Sequence, residues 1–294
     1  MNTEKINKEL EQQDKEIKQS QEQLKRIQEL AEYEGYDRVV LMQERADEIE
    51  KERGTVRSFN AKSGLRELDE VTEGFRPGNL IVLSGPTKNG KSSFCRYLTK
   101  RFSFDGNKVL WFPYEETHEE MVRHYSDIAD FYVPRIMTSG NLDWVEARIL
   151  EAKVKYETQI VFIDHLDFLR DTKLMGKVSI NMSGYIGGIV QRLKTIAREQ
   201  EICIFLMCHI KKNDWHSNDL PSSEDIRDSG QIPQLADMVL MLKRDISDND
   251  DEIYANTCKL GVIENRFNGK TKKIKLTFRN GEYYEVDNYR NIPS

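Results

Sequence analysis

The stretch Leu80-Ile-Val-Leu-Ser-Gly-Pro-Thr-Lys-Asn-Gly-Lys-Ser92 decides the fold of this chain. Its first residues are largely apolar and typical of a buried strand. The segment from Gly85 to Ser92 fits the pattern G-x-x-x-x-G-K-[ST], and the residues after it continue with a helical pattern. This order of strand, loop and helix predicts a phosphate-binding loop at a helix N-terminus.

The residue types in this loop explain how it would hold a nucleotide. Gly85 and Gly90 let the backbone curl so that its N–H groups point at phosphate oxygens. Lys91 can reach the β and γ phosphates, and the hydroxyl of Ser92 can bind Mg²⁺, which takes few protein ligands. The predicted cofactors are therefore ATP, or another nucleoside triphosphate, and Mg²⁺. The predicted nucleotide-binding residues of the loop are Gly85, Pro86, Thr87, Lys88, Asn89, Gly90, Lys91, Ser92 and Ser93.

A second apolar run, Ile160-Val-Phe-Ile-Asp164, ends in a carboxylate. In open α/β sheets ligands bind at the carboxyl ends of the strands, and this run would place Asp164 there. Such a run is common on its own. In a chain that also carries a phosphate-binding loop, it predicts that Asp164 holds the Mg²⁺ shell.

A third run, Val109-Leu-Trp-Phe-Pro-Tyr-Glu-Glu116, also ends in acidic residues. Hydrolysis of a γ-phosphate requires a carboxylate that polarises the attacking water without itself binding the metal. Glu115 is the first candidate for this base, and spacing alone leaves Glu116 open as the alternative.

The chain from about residue 55 alternates short apolar runs with longer helical stretches. Such alternation predicts βαβ units, and hence an α/β fold with a mainly parallel sheet and helices on both faces. After Leu242 the helical patterns stop, which predicts a C-terminal antiparallel extension. We assign residues 55–294 to one domain. The predicted parallel strands are 80–84, 108–112, 159–164, 202–208 and 238–242, the helices are 92–101, 118–132, 143–156 and 185–201, and the antiparallel strands are 253–263, 271–278 and 283–286.

Residues 1–54 differ in composition from the rest of the chain. They are rich in Glu, Lys, Gln and Arg, and Leu10, Ile17, Leu24 and Ala31 recur every seven residues. This predicts an N-terminal helical arm up to about residue 53, although polar residues interrupt the adjacent stripe. Gly54 ends the pattern. Two interpretations remain open, a solvated helix and an arm or linker that packs against a neighbouring subunit.

Composition limits the class of protein. Of the 294 residues 38% are hydrophobic and 32% are charged, which fits a soluble core with a solvated arm. No apolar run approaches the roughly 20 residues of a membrane helix, and no N-terminal apolar region indicates secretion, so we expect a cytoplasmic protein without membrane contact. The net charge of −6 argues against a broad DNA-coating surface but allows a narrow basic channel. Cys95, Cys203, Cys208 and Cys258 lack metal-binding spacing, and we expect them to be small buried residues.

Together these segments resemble one family. From about Ser63 to Val286 the chain is similar to the DnaB-like hexameric replicative helicases, which have a RecA-like ATPase core, and above all to the helicase half of the primase–helicase of short-tailed phages. One of the similar segments is long and is lacking in several unrelated P-loop classes, which separates this chain from kinases and GTPases. The segments that carry the resemblance are Leu68–Leu80, Val109–Glu116, Phe162–Leu166, Met207–Asn213, Ser223–Asp237 and Glu264–Gly269.

The resemblance implies roles for single residues. Its register favours Glu115 over the neighbouring glutamate as the catalytic base. His209 would sense the γ-phosphate, as a histidine does in the phage helicases. Arg266 would act as an arginine finger on the nucleotide of the adjacent subunit, where it neutralises charge on the transferred phosphoryl group. Arg244 and Phe278 would flank the nucleotide base, since a guanidinium and an aromatic ring can both stack on it.

The chain departs from the family pattern in two places. Many members carry a lysine two residues before the finger arginine, and this chain has Glu264, so one contact to the γ-phosphate is missing or is supplied by another residue. The segment 245–252 contains five carboxylates. It is either a solvated outer loop or a loop near the central channel, where its charge would repel DNA.

The family binds single-stranded DNA through loops in its channel. By position the candidate DNA-binding residues are Arg170, Lys173, Lys177, Lys211, Lys212 and Asn213. Side chains of these types could contact phosphates and would give sequence-independent, salt-sensitive binding. Without the resemblance, the same residues would be interpreted as ordinary surface residues.

The combined expectation is an ATP-dependent, ring-forming replicative DNA helicase motor that translocates on single-stranded DNA. Its expected partners are further copies of itself in a homo-hexamer, DNA, and a primase or other replication proteins. A viral protein in a host cytoplasm is one origin that fits this design. The alternatives are a RecA-type ATPase that does not unwind DNA, such as a recombination mediator or helicase-loading partner, and an ATP-gated scaffold.

Overall fold

The structure of the chain is a computed structural model. It describes residues 3–35, 38–53, 59–125, 131–138, 140–169, 182–211, 219–227, 230–245 and 256–286. Contacts divide the chain into two compact units, Met1–Arg57 and Ser58–Ser294.

The first unit contains two helices, α1 (Thr3–Ala31) and α2 (Met42–Arg53). The prediction of a helical arm up to about residue 53 was right in that the segment is mainly helical. It was wrong in predicting one continuous helix, because residues 33–35 and 38–41 are not helical. Gly35 lies in this break, and glycine is disfavoured inside helices. On α1 the side chains of Ile17 and Leu24 are 54% and 61% exposed. These two side chains of the apolar stripe are therefore exposed to solvent.

The second unit is an eight-stranded sheet with helices on both of its faces. Along the chain its elements are α3 (Arg66–Thr72), β1 (Leu80–Gly85), α4 (Lys91–Phe104), β2 (Val109–Pro113), α5 (His118–Tyr125), α6 (Leu142–Tyr156), β3 (Ile160–Asp164), α7 (Met182–Glu199), β4 (Cys203–His209), α8 (Ile232–Leu235), β5 (Met238–Arg244), β6 (Thr257–Asn265), β7 (Lys272–Arg279) and β8 (Glu282–Glu285). Two short 3₁₀ helices, Leu166–Leu169 and Ser223–Asp225, lie among them.

The strand order is β2-β3-β4-β1-β5-β6-β7-β8. The first five strands in this order are parallel, and β6, β7 and β8 continue the sheet in antiparallel fashion. Every residue of β1, β2 and β3 is buried, as expected for parallel strands covered on both faces. The predicted α/β fold with a mainly parallel sheet and a C-terminal antiparallel extension is confirmed.

Each face of the sheet has its own apolar core. On one face, helices α3 and α4 cover a stack of aromatic rings, in which the Phe162 ring centroid lies 4.8 Å from that of Trp111 and 4.7 Å from that of Phe205. On the other face, helices α6 and α7 contribute apolar residues such as Ile149 and Leu193. These two layers hold the strand ends in fixed positions.

The predicted boundaries of one helix were wrong. The prediction extended it over 118–132, but the described helix α5 ends at Tyr125, and Tyr132 forms a parallel bridge with Leu110. The backbone N–H of Tyr132 donates to the carbonyl of Val109 at 2.8 Å, so this residue bonds to the edge strand β2 instead of continuing a helix. The other predicted elements agree with the structure within a few residues, except that residues 253–255 lie outside the described part of the chain.

The four cysteines lie in the apolar core. All four cysteines are free and buried, which confirms their prediction as small core residues. None of the helices in the described part of the chain is long and apolar enough to cross a membrane.

A carboxylate joins three elements at the start of β1. Asp237 Oδ2 accepts the backbone N–H of Leu80 at 2.6 Å and the ammonium of Lys194, on α7, at 2.5 Å. Lys194 also donates to the carbonyl of Gly78 at 2.8 Å. Since β1 leads directly into the phosphate-binding loop, this bracing positions the loop.

We expect Asp237→Ala to lower the free energy of unfolding by about 1–3 kcal/mol, because the Leu80 N–H loses its acceptor and the Lys194 ammonium keeps only its bond to a backbone carbonyl. Urea denaturation monitored by circular dichroism measures the change. The control is Glu70→Ala, which removes an exposed ion pair with Arg66 and should cost less than about 0.5 kcal/mol. Equal losses in both variants would contradict the bracing role.

Candidate nucleotide-hydrolysis site

The predicted site residues come together at one edge of the sheet. Because β1 to β5 are parallel, their carboxyl ends share this edge, and β1 lies between β4 and β5. The residues at these ends are Gly85 of β1, Glu115 after β2, Asp164 of β3, His209 of β4 and Arg244 of β5. In doubly wound sheets, ligands bind at this edge where the strand order reverses.

The loop after β1 forms a narrow cradle. Gly85 has φ +150°, and a Cβ at this position would lie 2.0 Å from the carbonyl oxygen of Leu242, so no side chain fits. Gly90 has φ +93° and precedes the first residue of α4. The first N–H groups of α4 lack acceptors within the helix and, with the helix dipole, favour an anion at this point.

Lys91 folds back over the loop that precedes it. Its ammonium donates to the carbonyls of Gly85 at 3.0 Å and Pro86 at 3.1 Å, and the residue is buried. Burial lowers the pKa of Lys91, and the carboxylates of Asp164 and Glu115 counteract this shift. The loop thus contains a fixed positive charge opposite two carboxylates.

Ser92 and Asp164 form a pair of oxygen ligands. The Ser92 hydroxyl donates to Asp164 Oδ2 at 2.9 Å. Burial, followed by the negative charge of Glu115, raises the pKa of Asp164 from 3.8 to about 6, while the hydrogen bond from Ser92 lowers it. Mg²⁺ prefers hard oxygen ligands, and Ser92 and Asp164 offer two oxygen atoms close to negative charge. These residues therefore fit the predicted ion.

Three side chains converge beside this pair. Glu115 Oε1 lies 2.9 Å from His165 Nε2 and 3.6 Å from His209 Nε2. The two imidazole rings meet edge to face, with centroids 4.1 Å apart. Burial is the first cause that lowers the pKa of both histidines, assisted by the neighbouring His209 for His165 and by Lys91 for His209. Both rings are therefore neutral near pH 7.

The structure distinguishes the two glutamates that the sequence left open. Glu116 forms an ion pair with Arg96 of α4 at 2.9 Å, whereas Glu115 points to the histidines and is 40% exposed at its side chain. The guanidinium of Arg96 already occupies the Glu116 carboxylate. The geometry favours Glu115 as the residue that can accept a proton from water.

The sequence analysis did not identify His165 as a site residue. Its Nδ1 accepts the backbone N–H of Asp167 at 3.2 Å, so in the neutral ring Nε2 carries the proton and donates to Glu115. Its position directly after Asp164, at the end of a strand, was the available signal.

A cavity of ≈ 200 Å³ lies beside the loop, where the resemblance placed the nucleotide base. Arg244 and Phe278 both line it, and the backbone N–H of Arg244 donates to Asn89 Oδ1 at 2.8 Å. Tyr283 is a further lining residue that sequence reasoning did not identify. Its ring lies 4.8 Å from that of Phe278, and its hydroxyl donates to the carbonyl of Gly90 at 3.5 Å.

Arg266 lies at the other end of the parallel strands, close to their amino ends. Asn265 at the end of β6 pairs with Met238 at the start of β5, and Arg266 N donates to the Asp237 carbonyl at 2.8 Å. β5 has seven residues, so its two ends are about 20 Å apart at roughly 3.3 Å per residue. An arginine side chain cannot span this distance, so Arg266 cannot reach the phosphate-binding loop of its own chain.

The two departures from the family pattern have different surroundings. Glu264 is half-buried on β6 opposite Val239, near the same edge as Arg266. Asp245 accepts the hydroxyl of Thr257 at 2.9 Å and lies 3.6 Å from the ammonium of Lys259. Residues 246–252 of the acidic segment lie outside the described residues.

Of the predicted DNA-binding residues, the structure describes Lys211 alone. It follows β4 and His209, is exposed, and donates from Nζ to the carbonyl of Glu224 at 2.7 Å. The other predicted DNA-binding residues, Arg170, Lys173, Lys177, Lys212 and Asn213, lie outside the described residues.

The fold and the edge site together define a RecA-like P-loop NTPase. Residues 61–144 and 135–287 match the family described as the DnaB-like helicase C terminal domain. The chain belongs to this family, because the match covers well over half of its residues.

Curated relatives agree with the family. The chain is 26% identical over 255 residues to a probable replicative DNA helicase of Trieres chinensis, which covers 74% of this chain and 54% of that protein. It is 26% identical over 257 residues to the replicative DNA helicase DnaB of Haemophilus influenzae, covering 77% and 54%. The chain thus spans about half the length of these relatives. Their names do not favour the alternative of an ATPase that does not unwind DNA.

Two solved structures share the fold. The ATPase domain of another protein superposes with a TM-score of 0.69 at 19% identity, covering 84% of this chain and 99% of that one. A DnaB-like replicative helicase studied with its interactions with primase superposes with a TM-score of 0.66 at 20% identity, covering 94% and 77%. At these identities the likeness shows the RecA-like fold alone.

The raised pKa of Asp164 indicates that its negative charge lowers the stability of the folded protein when no ion is bound. We expect Asp164→Asn to raise the free energy of unfolding of the nucleotide-free protein at pH 8 by about 1–3 kcal/mol, because it removes a buried charge. Wild-type Asp164 takes up its proton at a higher pH when folded than when unfolded. The advantage of the variant should therefore shrink as the pH falls below about 6 and vanish below 3.8.

Urea unfolding of both proteins across this pH range measures the difference. A gain that does not change with pH would show that the substitution acts through packing and not through the charge.

Proposed function

We propose that this chain is the motor of a ring-forming, ATP-dependent replicative DNA helicase that translocates on single-stranded DNA. One observation carries the proposal. Lys91, Asp164, Glu115 and His209 lie at one edge of the sheet, and Arg266 lies at the opposite edge. A complete hydrolysis site then needs two copies of the chain, as in a ring motor.

The nucleotide is held by the loop after β1. The N–H groups at the start of α4 and the ammonium of Lys91 bind the β and γ phosphates. The hydroxyl of Ser92 and the carboxylate of Asp164 hold Mg²⁺, which neutralises phosphate charge when it is bound. Arg244, Phe278 and Tyr283 stack around the base in the adjoining cavity.

Glu115 acts as the base that polarises the attacking water. His165 donates to one oxygen of Glu115 and so orients the carboxylate, which leaves the other oxygen to accept a proton from water. His209 touches the same carboxylate, and its Nδ1 is buried without a hydrogen-bond partner among the described residues. A side chain in this position can respond to the γ-phosphate and pass its presence to the loop after β4, which begins with Lys211.

Arg266 completes the site of the next subunit. An arginine supplied in trans stabilises charge on the transferred phosphoryl group and couples hydrolysis to assembly. Contacts between one end of the parallel strands in one chain and the opposite end in its neighbour are heterologous, and they form a ring when the rotation between neighbours closes. We propose a homo-hexamer, with residues 1–54 packed against a neighbouring subunit through the exposed stripe of Ile17 and Leu24 on α1.

DNA is proposed to pass through the ring beside Lys211 and the other basic residues predicted from the sequence. The neutralised phosphates would give a salt-dependent affinity without sequence preference. A primase or another replication protein is a proposed partner on the resemblance alone, and co-elution with a primase from the same source tests it.

The rate of ATP hydrolysis with and without single-stranded DNA tests the motor. We expect turnover that DNA stimulates and that Lys91→Ala abolishes, because the phosphates lose their cation. The double variant Lys211→Ala, Lys212→Ala should keep basal hydrolysis and lose most of the stimulation. A forked duplex then tests unwinding.

The outcomes separate the alternatives. A rate of ATP hydrolysis that does not change with DNA would support an NTPase and contradict the helicase proposal. It would favour a RecA-type ATPase that acts on proteins. Nucleotide-dependent assembly without turnover would indicate an ATP-gated scaffold. Equal loss of basal and stimulated activity in the double lysine variant would contradict DNA contact at these positions.

Mixing two inactive variants tests the shared site. Arg266→Ala should lower kcat by about 10³-fold or more and leave nucleotide binding intact, since the finger acts on the transition state. In a 1:1 mixture with Lys91→Ala chains, about a quarter of the interfaces combine an intact loop with an intact finger, so activity should reappear.

The control is a mixture of Arg266→Ala with Arg266→Ala, Lys91→Ala double-variant chains, in which no interface is complete. Activity that fails to reappear in the first mixture, although light scattering shows mixed oligomers, would contradict the role in trans. Light scattering of the chain without residues 1–54 tests the arm, and an unchanged oligomer would contradict its packing role.

A further inference from the structure

The site contains a second set of ligand atoms that the proposed reaction with Mg²⁺ does not require. Glu115, His165 and His209 each offer one ligand atom, and the three atoms lie within 4.8 Å of one another. They come from the ends of three neighbouring strands, β2, β3 and β4. The sheet itself therefore holds them together.

The geometry points to a binding site for a divalent transition-metal ion, and we propose that Glu115, His165 and His209 form an inhibitory Zn²⁺ site. Zn–N and Zn–O bonds of about 2.0–2.2 Å place the ligand atoms of a tetrahedral site about 3.3–3.5 Å apart. Glu115 Oε1 lies 2.9 Å from His165 Nε2 and 3.6 Å from His209 Nε2. Side-chain rotations that move these atoms by a few tenths of an ångström bring both separations into the range.

The ligand types select the ion. Two imidazole nitrogens and one carboxylate are a set that binds zinc with a fourth position left for water. Mg²⁺ prefers oxygen atoms in an octahedral arrangement and binds imidazole poorly, so it remains with Ser92 and Asp164. The two sites thus share one pocket and differ in the class of cation.

An outer partner is in place for one ligand. His165 Nδ1 lies 3.5 Å from Asp167 Oδ2, in addition to the hydrogen bond that it accepts from the Asp167 backbone. When Nε2 of His165 binds the metal, its proton moves to Nδ1. The hydrogen bond from the Asp167 backbone is then lost, and Nδ1 can donate to the Asp167 carboxylate instead. A carboxylate behind a ligating histidine is a common feature of zinc sites and raises the basicity of the ligand.

The site can be reached, and the thiols do not compete with it. The Glu115 side chain is 40% exposed, which provides an entry path beside two more buried imidazoles. All four cysteines are buried in the core and cannot take the ion while the chain is folded. The cluster is therefore the transition-metal site that the described residues offer.

Occupation of the site would stop hydrolysis. A Glu115 oxygen bound to the metal can no longer accept a proton from water, and His209 can no longer respond to the γ-phosphate. The inhibition rests on the proposed function, whereas the binding stands on the geometry alone. Zinc would therefore be a reversible inhibitor of ATP hydrolysis by this chain.

The test uses the full-length, nucleotide-free chain in excess Mg²⁺ with Co²⁺ as a coloured probe. We expect one Co²⁺ per chain with the intense visible absorption of tetrahedral coordination, displaced by Zn²⁺. Glu115→Gln, His165→Asn and His209→Asn should each abolish the signal. The matched control is Glu116→Gln, one residue along the same loop, which should keep it. Asp167→Asn should weaken the affinity by about 10-fold, as the loss of an outer partner does elsewhere.

Circular dichroism of each variant verifies the fold, and isothermal titration with Zn²⁺ gives the stoichiometry. Absorption that persists in all three ligand variants, or tetrahedral absorption absent from the wild type, would overturn the site. One outcome is that the chain hydrolyses ATP at a rate that does not change when Zn²⁺ fills the site. That result would contradict the inhibition and leave the proposed function intact. If the chain binds Zn²⁺ but has no hydrolysis, the site stands and the proposed function fails.

Discussion

The parallel pairing of β1 with β4 on one side and β5 on the other is the constraint on which the rest of the structure depends. Ser84 pairs with Cys208 across one ladder and with Met241 across the other. This pairing places Gly85 against the carbonyl of Leu242 and His209 level with the loop. Both faces of β1 are buried under helices, so a shift of register would break two cores at once. The loop is consequently rigid at its origin and can present its N–H groups without reorganisation.

The same edge concentrates charges that are unfavourable for the isolated chain. Burial opposes the charged forms of both Lys91 and Asp164. Repulsion from Glu115 adds to this effect at Asp164, whereas the two carboxylates counteract it at Lys91. In the proposed reaction, a nucleotide with its metal would supply compensating charges, so that these unfavourable charges favour binding of that ligand. Glu115, the proposed acceptor of a proton from water, lies with two imidazoles at a spacing that fits the proposed zinc site, because a proton and a metal ion both bind to lone pairs.

Much of the fold was predictable because its causes are local. Buried parallel strands appear as continuous apolar runs, and the five predicted strands agree with β1 to β5 within a few residues. One error occurred where a tertiary contact decides, and the other where a glycine lies in the predicted helix. Tyr132 leaves the helical pattern because its backbone bonds to the edge strand β2, and the N-terminal helical pattern is interrupted around Gly35. Neither event changes the hydrophobic periodicity on which the predictions relied.

By itself the sequence determined the α/β class, the phosphate-binding loop and the candidate acids, since each depends on residue types at fixed short spacing. Tertiary structure alone decided which residues meet across long separations. His165 joins Glu115 and His209, Tyr283 enters the base cavity with Phe278, and Glu116 pairs with Arg96. It also placed Arg266 the whole length of β5 away from the loop of its own chain. Strand order and direction set these distances, and neither is encoded in the spacing of residues along the chain.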